Sequence, residues 1–247
     1  MNFIQLETID YVQGISTIIF VLICLILGII IILKYFITKN KGILYAGFSI
    51  ISLPLPWLSH VTSFLMLLIL NIDLNVEIQI SIAVLTVPIP LYFWSFTLSN
   101  LLEIRKILRN FGLVIASIAI FIFDIFFFYF LFNNPKFLGI KYSPCYIEYS
   151  PFIQIYFCSA ILILIISGII FLNFTIKADN RESKLRGFFF SIAFFSLALG
   201  SILDTAIHLG SIPILVWIVR IILVSSAIEF YIGFILPEWA QKLFLKE

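Results

Sequence analysis

The chain predicts an all-α, polytopic membrane bundle of seven helices, and three observations carry that reading. Of its 247 residues 62% are hydrophobic and only 11% are charged, with a mean hydropathy of +1.18. A water-soluble domain of that composition would expose more apolar surface than it could cover. Seven uncharged stretches each approach the roughly 20 residues that cross about 30 Å of hydrocarbon. Finally, the basic residues crowd into every second gap between those stretches. A net charge of +2 without a basic patch excludes a nucleic-acid partner, and the lipid bilayer is the expected solvent.

The expected spans are approximately 12–33, 43–66, 78–100, 111–133, 152–175, 187–207 and 212–236. The first lies between Asp10 and Lys34, with Cys24 at its middle. Its flank is acidic and lacks a basic n-region or small-residue cleavage site, so it is expected to be a retained anchor. The second is interrupted by Pro54 and Pro56 and predicts one kinked helix. Pro88 and Pro90 mark the third in the same way. The fourth carries Asp124 about 13 residues in, close to the bilayer centre. Ser150 and Pro151 form an N-cap and N1 pair for the fifth. The sixth reaches Asp204 and His208, and the seventh contains Arg220 and Glu229 and stops at Pro237. Residues 237–247 place Trp239, Leu243 and Phe244 at helical spacing beside Lys242 and Lys246, which predicts a cytoplasmic amphipathic juxtamembrane helix.

Lysine and arginine counts orient the chain. Twelve fall in alternate gaps: Lys34, Lys39 and Lys41, then Arg105, Lys106 and Arg109, then Lys177, Arg181, Lys184 and Arg186, and finally Lys242 and Lys246. Only Lys136 and Lys141 occupy the opposite side. The N-terminus is therefore expected outside the cell membrane and the C-terminus in the cytoplasm. The longest outer loop, 134–150, holds Tyr142, Tyr146 and Tyr149 and predicts an interfacial tyrosine belt, with a ligand lid as the sharper alternative. Cys145 in that loop has no extracellular mate, so no intramolecular disulfide is expected.

Candidate functional residues come from what a membrane tolerates poorly. An intramembrane charge costs several kcal/mol unless paired or hydrated. Arg220, about 12 Å from the outer end of its span, is the only basic residue within a span, and Asp124 or Asp204 is its expected partner. Glu229 lies beside Ser225, Ser226 and Ala227, small residues that permit close helix contact. LPLPW at Leu53–Trp57 is echoed by VPIPLYFW at Val87–Trp94. Pro54 lies roughly 18 Å from the inner end of its span and Pro88 roughly 15 Å from the outer end of its own, so the two kinks meet near mid-membrane. They are expected to open a cavity lined by Trp57, Tyr92, Phe93 and Trp94. Asp204 and His208 share a helix face, and with His60 they form the weak candidate metal set. No other metal site, no cofactor and no nucleophile–base pair is legible, so an enzyme is not expected.

Three seven-helix families fail on their residues. No lysine stands in the middle of the last span for a retinal Schiff base. The third span ends SNLLEIRK with no DRY-like sequence, and the seventh lacks NPxxY. Two histidines are too few for a ceramidase-type hydrolase. The run RIILVSSAIEFYIGFILPEWAQKLF, from Arg220 to Phe244, with the outside-N topology and seven spans filling the chain, resembles the seven-helix sensor module of prokaryotic histidine kinases, without the kinase. The resemblance implies a receptor-like protein that binds a small or lipophilic ligand and signals to a cytoplasmic partner. The competing expectation is a small transporter or ion pathway through Asp124, Arg220 and Glu229. Seven spans do not divide into two repeats, an objection that a homodimer would escape.

Overall fold

The computed structural model describes residues 6–177, 180–206 and 213–245. All seven expected spans form helices long and apolar enough to cross a membrane. Helix α1 (Thr8–Thr38) starts with a reciprocal cap, in which the Glu7 side chain takes the Asp10 N–H and the Asp10 side chain takes the Glu7 N–H. It stops at Lys39, whose φ of 54° ends the helical run in the left-handed region. Asn40 then caps α2 (Lys41–Ser52), its side chain accepting from the Gly42 N–H at 2.8 Å.

The prolines break the second and third spans as their chemistry requires. Pro54 has no N–H for the Ile50 carbonyl, and the Leu53 N–H takes it instead at 3.3 Å. One 3₁₀ turn, Leu55–Trp57, leads into α3 (Leu58–Leu70). In the third span α4 (Val76–Leu85) gives way to α5 (Pro88–Leu101), and the Val87 N–H replaces the missing donor of Pro88 on the Val84 carbonyl at 3.3 Å. Between the two kinked spans, the Ser49 hydroxyl donates to the Pro90 carbonyl at 3.4 Å. The carbonyl that Pro90 leaves without its helical donor, that of Thr86, is taken by the Ile89 N–H at 3.2 Å.

The remaining helices are α6 (Lys106–Asn133), α7 (Pro151–Ile176), α8 (Arg181–Ala206), α9 (Pro213–Ile235) and the short α10 (Glu238–Phe244). Pro151 occupies N1 of α7 as expected, but the Ser150 hydroxyl caps nothing; the Ser150 carbonyl accepts from the Gln154 N–H at 2.9 Å. Around the bundle α2, α1, α9, α8, α7 and α5 pack in that order and close into a ring. Helix α6 stands outside it against α5, with only 6% of its most apolar stretch buried, against half for α8. A stack of Phe123 on Tyr156, centroids 4.0 Å apart, ties α6 to α7.

The loop between α6 and α7 differs most from expectation. It folds into an antiparallel hairpin, β1 (Gly139–Ser143) and β2 (Tyr146–Tyr149), which turns inward across the end of the bundle. Of the expected belt, Tyr142 is exposed while Tyr146 and Tyr149 face a cavity below. Ile147 and Cys145 are buried.

Helices α1 and α2 meet through two glycines. A Cβ on either Gly28 or Gly47 would come within 2.9 Å of the other's carbonyl oxygen. Small residues let membrane helices approach this closely. Gly28→Val and Gly47→Val are each expected to lower stability to SDS unfolding by about 2 kcal/mol or more, the scale of forced overpacking. Unchanged unfolding of both variants would contradict this crossing.

Candidate functional site

Both proline kinks face one cavity of about 150 Å³, lying at the hairpin end of the bundle and inside the ring. Leu53, Pro56 and Trp57 contribute from the first kink, and Val87, Pro90 and Leu91 from the second. Tyr146, Ile147, Glu148 and Tyr149 of β2 form the roof, and α7 and α8 supply the far wall. The kinks therefore do open a cavity, but of the four expected aromatics only Trp57 lines it. Helical periodicity turns the others away, since consecutive residues point about 100° apart. Phe93 stacks on Phe48 of α2. Trp94 is buried, donates to the Ser167 hydroxyl at 2.7 Å and packs edge-on to Phe194. Tyr92 looks outward, where its hydroxyl pairs with Ser117 of α6 at 2.7 Å. There it lines a second, larger crevice of about 380 Å³ between α5, α6 and α7.

The polar wall of the cavity is a three-way junction. Asp204, near the end of α8, forms an ion pair with the Arg220 Nη2 of α9 at 3.2 Å. Its other oxygen accepts from the Trp57 indole N–H at 2.5 Å. One carboxylate thus joins the second, sixth and seventh spans. Arg220 is 2% exposed, and its Nε and Nη1 have no hydrogen-bond partner among the described residues. Asp204 lines the cavity, whereas Arg220 lies behind it. Gln13 of α1 also lines the cavity; it is 2% exposed and its Oε1 has no donor among the described residues.

Of the two expected partners of Arg220, the structure selects Asp204. Asp124 sits on peripheral α6, near Tyr156 and away from Arg220, and joins no ion pair among the described residues. Glu229 lies nine residues beyond Arg220, roughly 13 Å along α9. Its carboxylate lies beside Ser196 of α8 and Ser225, and its Oε2 has no hydrogen-bond partner among the described residues. Leu223 and Ala227, both buried and apolar, lie between the two residues along α9. His208 lies outside the described residues. His60 lines the same cavity, its Nδ1 hydrogen-bonded to the Cys145 carbonyl at 2.8 Å, within electrostatic reach of Asp204 and Arg220. No group of three His, Cys, Asp or Glu side chains able to hold a metal gathers among the described residues.

The hairpin is latched by residues that sequence reasoning passed over. Asp10, there only part of an acidic flank, is fully buried. Its Oδ1 accepts from the Ser143 hydroxyl at 2.7 Å and from the Cys145 N–H at 3.2 Å, while Oδ2 caps its own helix. Ser63 of α3 donates to the Pro144 carbonyl at 2.5 Å and receives from Gln79 of α4 at 3.1 Å. Lys141 pairs with Asp73, and its ammonium also donates to the Leu74 carbonyl at 2.7 Å. The tip of the roof is thereby plugged between α1 and α3. Burial raises the Cys145 thiol to about 12, with the Asp10 charge acting in the same direction. The Tyr149 phenol titrates above the usual tyrosine range because it is withdrawn from water.

Comparison with family models, curated proteins and solved structures yields no match to this chain.

Since the thiolate is the reactive form, a raised pKa depresses the reactivity of Cys145 at pH 8. In a protein carrying Cys24→Ser and Cys158→Ser, maleimide labelling of Cys145 is expected to be slow at pH 8 and to accelerate as pH rises toward 12. Asp10→Leu, which releases the hairpin tip, is expected to speed labelling at pH 8 by about tenfold or more. Equal rates in the two proteins would show that Asp10 does not hold the roof closed.

Proposed function

We propose that this chain is a seven-helix, receptor-like membrane protein that binds a small ligand in the cavity beneath the hairpin. Occupancy is passed to a partner at the other end of the bundle. The observation that carries the reading is that the carboxylate on the cavity wall is the one that holds Arg220. A ligand touching Asp204 on α8 therefore bears directly on α9. Helix α9 leads to the far end, where Arg186 of α8 clamps the Gly233 and Phe234 carbonyls at 3.0 and 2.7 Å. Phe189, Ile232, Leu236 and Ala240 then pack α8, α9 and α10 into one apolar cluster. Those contacts give α9 and α10 a route for transmitting a shift.

In this reading the hairpin end faces out and α10 lies on the cytoplasmic surface, supported by the bias of twelve loop cations against two. The ion-pathway alternative asks Asp124, Arg220 and Glu229 to exchange ions in sequence. The peripheral place of α6 and the apolar layer between Arg220 and Glu229 both count against it.

Two measurements test the reading. A cysteine introduced at Lys136 is expected to label with a membrane-impermeant maleimide on intact cells, and one at Lys106 only after permeabilisation; the reverse pattern would overturn the orientation. Proteoliposomes are expected to show no proton or alkali-cation flux above that of empty vesicles. Robust flux abolished by Asp124→Asn would replace the receptor reading with the transport one.

A further inference from the structure

Among the described residues the cavity lining holds the Asp204 carboxylate with His60 and Glu148 nearby, and no lysine or arginine. Arg220 sits behind the Asp204 carboxylate it pairs with, so that pair turns its anionic side to the ligand. Gln13, nearly inaccessible, adds an amide whose oxygen has no donor among the described residues. Such a buried acceptor is stabilised by a ligand that supplies an N–H or O–H. Trp57, Tyr149 and Phe157 line the same space, and aromatic faces attract an ammonium group. Away from the acids the walls are apolar, with Val87, Leu91 and Leu197 among them. A cavity of this volume takes about one six-membered ring.

We infer that the cavity takes a small organic amine, a cationic head at Asp204 and Gln13 with an apolar body of about one ring. This rests on the reading of the cavity as a ligand site and specifies what enters it. An anion of the same size would meet the Asp204 carboxylate, and a neutral alcohol would forgo the charge.

Three probes of matched shape test it: 2-phenylethylamine, 2-phenylethanol and phenylacetate, each titrated into the full chain in non-ionic detergent at pH 7. Binding is read as saturable thermal stabilisation. The amine is expected to bind at least about tenfold more tightly than either of the others, the scale of one charge-assisted hydrogen bond. Gln13→Leu, which removes a buried unpartnered polar group and so preserves the fold, is expected to weaken amine binding by about tenfold. Asp204→Asn, which keeps an acceptor for Trp57, is expected to weaken it further. If the alcohol or the carboxylate binds as tightly as the amine, or if Gln13→Leu binds the amine normally, the amine assignment is overturned while the cavity stands as a ligand site. If none of the three stabilises the protein, both the assignment and the ligand-cavity reading fall.

Discussion

The Asp204 carboxylate is the constraint on which the functional end of this bundle depends. A guanidinium that is 2% exposed in the interior of an apolar helical bundle is tolerated only when a counter-charge stays in place. Asp204 provides that charge, and its second oxygen is engaged by Trp57 at the proline turn of the second span. Three spans are therefore indexed to one another at one depth. The kink of α2 into α3 cannot straighten without withdrawing the Trp57 donor, and α9 cannot rotate without withdrawing Arg220. The cavity is the space left where this junction and the second kink meet.

The roof follows from the same economy of buried polar groups. A hairpin laid over an apolar bundle must find partners for the carbonyls and N–H groups of its tip. Asp10, His60 and Ser63 supply them from α1 and α3. The cap of α1 and the latch of the hairpin use different oxygens of Asp10, so the start of the first span and the closure of the cavity are coupled in one side chain. Deeper in the bundle the Trp94, Phe194 and Phe230 cluster fills the interior with rings.

Much of this was legible in the sequence. Span number, the two proline breaks, the burial of Arg220 and its pairing with an acid at similar depth follow from length, proline chemistry and the intolerance of hydrocarbon for charge. What the sequence left open was geometry between distant segments. Asp124 and Asp204 were equal partners by depth alone, and only the exclusion of α6 from the ring decided between them. Tyr92 and Trp94 were placed near the kink by position, yet helical phase sends them outward and into the core. Asp10 read as a flank because its partners are more than 130 residues away. The hairpin had a local signal, apolar and polar residues alternating through 139–149 with aromatic and β-branched residues around a proline turn. That signal was hidden by the stronger expectation that interfacial tyrosines form a belt.

The central claim is that Asp204 and Arg220 act as one buried unit, and a double-mutant cycle on unfolding in SDS micelles measures it most directly. Asp204→Asn and Arg220→Met are each expected to destabilise the protein by about 3 kcal/mol or more, because each leaves one partner unmatched in the interior. The double variant is expected to lose much less than the sum, with a coupling of about 1–3 kcal/mol. Losses that add to within about 0.5 kcal/mol would show that the two residues do not depend on each other, and would contradict the account.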